Sequence, residues 1–184
     1  MAPPHPRQVV LVTGCSAGGI GWHLCAALAA RGVNVYASDR RPASADGLLA
    51  LRCRVLQLDV TDDASVRAAV AEVLREAGRI DGRPGAEGKG DRAVNARCNL
   101  SPDPVPERPA PPRYPPRRPP FTQVLVNNAG IAIRKPLVDF SMDEARRLMD
   151  TNYFGCVAMC DAVVPGMMER GQGRIFNVGS GLGA

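Results

Sequence analysis

The sequence predicts a three-layer α/β domain, with helices on both faces of a parallel sheet whose strands lie in the order 3-2-1-4-5. Short β-branched segments alternate with longer segments of helical spacing, and a glycine-rich turn follows the first apolar segment. Hydrophobic residues make up 45% of the 184 residues, enough for one core. The predicted strands cover residues 9–13, 33–37, 54–58, 124–126 and 174–178.

The glycine-rich turn has the sequence Thr-Gly-Cys-Ser-Ala-Gly-Gly-Ile-Gly at 13–21 and leads into a predicted helix at 20–31 that Gly32 ends. Glycines let the backbone approach a phosphate closely, and the free N–H groups at a helix N-terminus favour negative charge. Strand, turn and helix together predict an anion site; the alternative is a turn that binds nothing. The candidate binding residues are Gly14, Ser16, Gly19, Ile20 and Gly21.

Both an acid and two bases follow the second strand, in Ser38-Asp39-Arg40-Arg41. A carboxylate at this position can accept both ribose hydroxyls of NAD, whereas an arginine can bind the 2′-phosphate of NADP. Asp39 would repel that phosphate, and Arg40 and Arg41 would attract it. No basic residue lies within the glycine-rich turn, so the residues favour NAD slightly. The alternative is a solvated pair of charges in a turn.

The third strand is followed by Asp59-Val60-Thr61, and the Asp59 carboxylate can reach an adenine amino group. Thr61 suits the N-cap of the next helix, with two aspartates in its first turn. This helix is expected to run to about residue 77 and to end at Gly78, and residues 79–81 are expected to lead into the next strand.

A proline- and arginine-rich segment, 82–122, interrupts what is otherwise a single domain over 1–184. Eleven of the 17 prolines lie in it, together with eight basic and four acidic residues. Proline removes backbone donors, so we expect a disordered insertion. Residues 79–81 joined directly to 124–128 would make a continuous segment, which suggests an intron translated in frame. Residues 109–120 also fit the polyproline patterns of WW and SH3 ligands, an alternative role as an interaction segment.

The last third of the chain carries a capping box, Ser141 with Glu144 at position N3. The helix after it is expected to turn a set of side chains towards the core, with a kink or a new start at Pro165. The last predicted strand is followed by Gly179 and Ser180. The side chains expected to point inward or to lie near the core are Leu148, Met149, Asn152, Tyr153, Cys156, Val157 and Cys160.

Composition excludes several other functions. The six cysteines form no CxxC pair and there are two histidines, so we expect free, buried thiols in a reducing compartment and no metal site. The net charge of +5 comes mostly from 82–122, so we expect no nucleic-acid binding. The N-terminus does not resemble a signal peptide and no apolar run is long enough to span a membrane. We therefore expect a cytoplasmic protein, with association with membranes or lipid droplets left open.

Several motifs occur in the order found in the short-chain dehydrogenase/reductase family, which the chain resembles over 8–81 and 123–184. They are the turn at 13–21, the pair Asp59 and Val60, the Asn-Asn-Ala-Gly motif at 127–130, Asn152, and Ser180 after the last strand. The resemblance implies a Rossmann-type fold and adds Asn128, Ala129 and Gly130 to the NAD(P)(H)-binding residues. It implies that Ser180 and Asn152 are catalytic.

The family's chemistry is hydride transfer between nicotinamide and a carbonyl or alcohol carbon of a small molecule. Family members also use a Tyr-x-x-x-Lys pair, which does not occur in these 184 residues; the usual dimerisation helix is not recognised either. We therefore expect little or no activity from this chain, or a non-catalytic NAD(P)-binding module. The doubled Gly18-Gly19 resembles the fungal group related to 1-acyldihydroxyacetone-phosphate reductase, which implies NADP(H), whereas Asp39 implies NAD(H).

Overall fold

The computed structural model describes residues 7–80 and 121–180, which form a five-stranded parallel sheet with flanking helices. The strand order is β3-β2-β1-β4-β5, which confirms the sequence prediction. The strands are β1 (Arg7–Thr13), β2 (Asn34–Asp39), β3 (Arg54–Gln57), β4 (Phe121–Asn127) and β5 (Arg174–Asn177). The helices are α1 (Ile20–Ala30), α2 (Asp63–Ile80), α3 (Met142–Met149) and α4 (Gly155–Glu169).

Strand β1 lies at the centre of the sheet, paired with β2 on one side and β4 on the other. Its residues Val9, Val10, Leu11 and Val12 are at most 3% exposed. A strand of a parallel sheet is covered on both faces, which is why this segment is apolar throughout instead of alternating. The carboxyl ends of β1, β2 and β4 therefore meet at one edge of a rigid sheet.

Two hydrophobic clusters lie on opposite faces of the sheet and make the three layers. On one face Val10, Val12 and Val35 pack with Cys25 and other side chains of α1 and with the segment after β2. On the other face Leu11, Tyr36 and Leu125 pack with side chains of α2 and α4. Alternate residues of β1, β2 and β4 thus supply the two cores, as strand geometry requires.

The boundaries of α1 follow the sequence signals. The helix begins after Gly19 and ends where Gly32 takes a φ of 76°, in the left-handed region that favours glycine. The Gly32 amide donates to the Ala29 carbonyl and the Val33 amide donates to that of Leu28. This glycine-terminated helix end directs the chain straight into β2.

Three expectations around α2 and β4 were wrong in detail. Thr61 does not cap α2: its hydroxyl donates to Asp59, and Asp62 accepts instead from the backbone amide of Ala64. The helix continues through Gly78 to Ile80, because glycine weakens a helix without breaking it. Strand β4 begins at Phe121, two residues inside the segment assigned to the insertion, where it pairs with the start of β1. Residues 82–120, including the possible WW and SH3 ligand 109–120, lie outside the described residues.

The capping box of α3 is confirmed. The Ser141 side chain accepts from the Glu144 amide and Glu144 accepts from the Ser141 amide. A π-helical turn, Asp150–Phe154, then joins α3 to α4. Because this turn inserts an extra residue, the buried stripe of α4 becomes Gly155, Met159, Val163 and Met167, with Pro165 inside the helix. Four of the side chains expected inward or near the core are exposed instead: Met149, Asn152, Tyr153 and Val157.

Candidate functional site

A cavity of about 350 Å³ lies at the carboxyl edge of the sheet, between the glycine-rich turn and the loops that follow β2, β3 and β4. In open α/β sheets, ligands bind at the carboxyl ends of the strands, beside the strand from which the sheet is extended in both directions. In this sheet that strand is β1, with β2 on one side and β4 on the other. The cavity is lined by Gly14, Ser16, Gly19, Ile20, Asp39, Arg40, Arg41, Leu58, Asp59, Val60, Asn128, Ala129, Gly130, Ile131 and Thr151.

Two glycines of the turn are required by close packing. Gly14 has a φ of 70°, and a Cβ there would lie 2.7 Å from the Ala129 Cα. A Cβ on Gly21 would lie 2.6 Å from Asn128 Nδ2 and 2.7 Å from the Gly14 carbonyl oxygen. These glycines let the start of α1 approach the loop after β4, so that both reach the same cavity. Gly21 is buried and is not part of the cavity lining.

The loop after β4 is attached to β1 by hydrogen bonds. The hydroxyl of Thr13, which is 1% exposed, accepts from the amides of Asn128 (3.0 Å) and Ala129 (2.9 Å). Asn128 Nδ2 donates to the carbonyl oxygens of Thr13 and Gly14, both at 2.9 Å. The Asn128 side chain is therefore occupied with the protein backbone, and it shapes the cavity by holding the turn.

The N-terminus of α1 lies at the cavity without any side-chain cap. Its N-cap is Gly19, which makes no side-chain cap hydrogen bond, and the first turn contains no acidic residue. The first amides of a helix have no partner within the helix, and the helix dipole adds partial positive charge there. An anion at this place would supply the missing acceptors.

Asp39 lies at the end of β2, 8% exposed, with three donors around its carboxylate. The Ser16 hydroxyl donates to Oδ2 (2.7 Å), while the Ser44 hydroxyl (2.7 Å) and the Arg41 amide (3.0 Å) donate to Oδ1. Burial acts to raise the pKa of Asp39, but these hydrogen bonds and the Arg41 charge outweigh it and lower the pKa. The group is therefore an anion, with acceptor capacity facing the cavity.

Asp59 and Val60 form the next part of the lining. The amide and the hydroxyl of Thr61 donate to Asp59 Oδ1, at 3.0 and 2.7 Å. Val60 packs on the start of α4, since a Cβ on Gly155 would lie 2.6 Å from its Cγ2. Val60 thus connects the cavity to the π-helical turn.

The two residues predicted to be catalytic do not line the cavity. Asn152 lies in the π-helical turn, where its Oδ1 accepts from the Ile131 amide (2.8 Å) and its Nδ2 donates to the Ile131 carbonyl (2.9 Å). Asn152 thus holds the backbone of Ile131, which lines the cavity. Ser180 is exposed, three residues after β5.

Eleven of the twelve residues predicted to bind cofactor line the cavity, Gly21 being the exception. Leu58, Ile131 and Thr151 line it as well and were missed. Each adjoins a predicted residue along the chain, so adjacency was the available signal. Arg41, next to Arg40, also lines the cavity.

The cysteines of the described segments are free thiols. Cys15 and Cys25 are fully buried with their sulfur atoms 3.6 Å apart, and Cys53 is buried close by. Within residues 7–80 and 121–180, no group of three His, Cys, Asp or Glu side chains is placed to hold a metal ion.

Comparison with known proteins identifies the family. The family model for short chain dehydrogenase matches residues 8–82 and 122–184. A 3-ketodihydrosphingosine reductase of Bacteroides thetaiotaomicron is 31% identical over 173 residues, covering 94% of this chain and 47% of the relative. The NADPH-dependent 1-acyldihydroxyacetone phosphate reductase of Schizosaccharomyces pombe is 29% identical, covering 95% and 45%. Serine dehydrogenase from Escherichia coli has a similar structure, with a TM-score of 0.62, 28% identity, and coverage of 94% and 62%.

The chain belongs to the short-chain dehydrogenase/reductase family, whose members are NAD(P)-dependent oxidoreductases. Human dehydrogenase/reductase SDR family member 7 is a further relative, 33% identical over 187 residues. The chain spans about half the length of these curated relatives, each of which matches nearly all of it. None of the helices in the described segments is both long enough and apolar enough to cross a membrane.

Proposed function

We propose that the protein is an oxidoreductase of small carbonyl or alcohol substrates and that this chain provides its dinucleotide-binding site. One observation carries this: the uncapped start of α1 and the ionised Asp39 face one cavity. The first offers donors to an anion such as a pyrophosphate, and the second offers an acceptor to ribose hydroxyls. The cavity residues therefore fit both polar parts of the adenosine half of NAD(P)(H).

We propose NAD(H) as the preferred cofactor. Asp39 is ionised and nine-tenths buried, so a 2′-phosphate beside it would meet an unscreened negative charge. Arg40 and Arg41 also line the cavity and favour a 2′-phosphate, which makes NADP(H) the second candidate. The Asp39 charge should dominate because its carboxylate is held by three donors, whereas both arginine residues are exposed.

The bound nicotinamide would supply the hydride, and the residues of this chain would orient it and the substrate. Asn152 holds the backbone of Ile131, and Ile131 forms one end of the cavity wall. In this proposal Ser180 donates a hydrogen bond to the oxygen of the reacting carbonyl, and Asn152 has a supporting role, in a relay of protons through water.

The 184 residues contain no tyrosine followed four positions later by lysine. In the short-chain dehydrogenase/reductase family, the tyrosine of this pair protonates the carbonyl oxygen. We therefore propose that this polypeptide binds the dinucleotide with little or no turnover. A non-catalytic NAD(P)-binding module is the alternative function.

Titration with NADH and NADPH tests the proposal directly. Trp22 is the single tryptophan and lies on α1, so energy transfer to the reduced nicotinamide reports binding. We expect saturable binding, tighter for NADH, and a loss of about ten- to hundredfold in NADH affinity for Asp39→Asn, since that change weakens hydrogen bonds to a charged group. Asp161→Asn, an exposed aspartate of α4, is the matched control.

Absence of saturable binding of either dinucleotide would overturn the proposal. Tighter binding of NADPH than of NADH would overturn only the cofactor preference. Rapid oxidation of NADH by this chain with a carbonyl substrate would contradict the expected lack of turnover.

A further inference from the structure

Ser44 lies in the short 3₁₀ helix Pro42–Ala45, five residues beyond Asp39. Its hydroxyl is 2.7 Å from Asp39 Oδ1 and 2.6 Å from the Arg41 carbonyl oxygen. A hydroxyl has one proton, so it donates to one of these acceptors at a time. Ser44 is not part of the cavity lining, so any effect it has on a ligand must pass through another residue.

The donors are distributed unequally over the two oxygens of Asp39. Oδ1 is held by the Ser44 hydroxyl and the Arg41 amide, which together fill its two lone-pair positions. Among the residues that the structure describes, Oδ2 receives only the Ser16 hydroxyl, which leaves one acceptor position open. Ser44 therefore helps to determine which oxygen of the carboxylate is available to a ligand.

The backbone of Ser44 also connects the two loops that border this part of the cavity. Its carbonyl oxygen accepts from the Ala17 amide of the glycine-rich turn at 2.6 Å, and its amide donates to the Arg41 carbonyl at 2.8 Å. These bonds fix the distance from the Ser44 hydroxyl to Asp39. They do not depend on the side chain at position 44, so a substitution there can remove the hydroxyl and leave the loops joined.

We propose that Ser44 is a positioning residue that fixes the Asp39 carboxylate with Oδ2 available to the ribose, and that it thereby sets the discrimination between NADH and NADPH. This inference rests on the proposed function. When a ribose hydroxyl donates to Asp39 Oδ2, the Ser44 hydroxyl continues to donate to Oδ1 and holds the carboxylate in this orientation. Without Ser44, Oδ1 keeps one donor, the carboxylate can rotate, and its orientation towards a ribose is lost.

The experiment compares Ser44→Ala with Ser44→Thr, which keeps the hydroxyl, by titrating each with NADH and NADPH. We expect Ser44→Ala to lose about tenfold in NADH affinity, the effect of one hydrogen bond to a charged group, and less than about twofold in NADPH affinity. Ser44→Thr should restore the preference. Ser44→Cys has a side chain of similar size with a weaker donor, so its NADH affinity should lie between those of wild type and Ser44→Ala. It replaces Ser44→Ala in the comparison if the alanine variant does not fold.

The matched control is Ser141→Ala. It also removes a serine hydroxyl bonded to a carboxylate, that of Glu144, but outside the cavity. Ser141→Ala should leave the ratio of NADH affinity to NADPH affinity unchanged. If a general loss of stability were the cause of a changed ratio, the ratio would change in Ser141→Ala as well as in Ser44→Ala.

The outcomes separate the two proposals. If wild type binds NADH and Ser44→Ala keeps the same ratio, the role of Ser44 is wrong and the proposed function stands. A gain in NADH affinity for Ser44→Ala would mean that Ser44 competes with the ribose, which also overturns its positioning role. Lack of binding by wild type overturns the proposed function, and the role of Ser44 falls with it.

Discussion

The N-termini of α1 and α3 are built in opposite ways. Helix α3 begins with a complete capping box, and Lys135 pairs with Glu144 at 2.6 Å. Helix α1 begins at Gly19 with no side-chain cap and no acidic residue in its first turn. Both helices face the same physical requirement, since the first amides of any helix need acceptors.

The difference follows from what lies in front of each helix. The start of α3 is exposed, and its own sequence supplies the acceptors at Ser141 and Glu144. The start of α1 faces the cavity, where a ligand can supply them. A helix whose N-terminus lacks acceptors of its own, next to a cavity, is thus available for an anion, whereas a self-capped helix serves the fold.

The largest expected effect tests how α1 is brought to the cavity. Gly14 and Gly18 have nearly the same φ, 70° and 74°, but a Cβ at Gly14 would meet the Ala129 backbone while a Cβ at Gly18 meets nothing within 4 Å. Gly14→Ala should lower the free energy of unfolding by about 2–5 kcal/mol, from backbone strain plus overpacking. Gly18→Ala should cost about 1–2 kcal/mol, from strain alone. Urea denaturation measures both, and equal losses would show that the close approach to Ala129 has no energetic consequence.

A second test gives α1 a cap of its own. Gly19→Asp places a carboxylate where we propose the pyrophosphate binds, and Gly19→Asn is a neutral cap of nearly the same shape. Any strain against the Ser16 carbonyl is common to both variants. We expect Gly19→Asp to bind NADH more weakly than Gly19→Asn by about 2–4 kcal/mol, because of charge repulsion near the protein surface. Equal NADH affinities of the two variants, measured by fluorescence titration, would contradict the proposal that the pyrophosphate binds at the N-terminus of α1.

The reciprocal test removes the cap of α3. Ser141→Ala should cost about 1 kcal/mol of stability, the usual effect of losing an N-cap side chain. NADH affinity should not change, since residues 141–144 lie outside the cavity lining. Urea denaturation and NADH titration on the same sample give both values. A weaker affinity would mean that α3 is coupled to the cavity through the π-helical turn.

The smallest effect is the acid sensitivity of the α3 cap. The hydrogen bond from Lys135, followed by those from Ser141, lowers the pKa of Glu144 to about 2. A carboxyl group with a lowered pKa stabilises the folded state above its unfolded pKa, about 4.3, and this contribution is lost as the pH falls towards 2. Glu144→Gln should therefore lose less stability than wild type between pH 5 and pH 2. Thermal unfolding across this range measures it, and parallel curves would contradict the prediction.

Much of the site was predictable because its signals are local in sequence. The glycine-rich turn at 13–21 and the acids after β2 and β3 each follow a strand, and in a parallel sheet the carboxyl ends of strands meet at one edge. The capping box of α3 is likewise a local pattern, with the two partners three residues apart. Such features do not require knowledge of distant parts of the chain.

Other features were decided by tertiary structure. The π-helical turn before α4 shifts the buried stripe, so Tyr153 and Val157, expected inward or near the core, are exposed. Gly21 is necessary because Asn128, more than 100 residues away, occupies the space of its Cβ. The spacing of residues in the sequence reveals neither the π-helical turn nor the close approach of Asn128 to Gly21.

The sequence alone therefore determined the fold class and the edge of the sheet at which the cavity lies, since these depend on strand–turn–helix order and on parallel-sheet geometry. Tertiary structure alone decided the state of Asp39. Its burial acts to raise the pKa, and donors from Ser16, Arg41 and Ser44, brought together by two separate loops, lower it. Charge and acceptor capacity at such a site depend on which side chains surround it, and those are set by packing between segments distant in sequence.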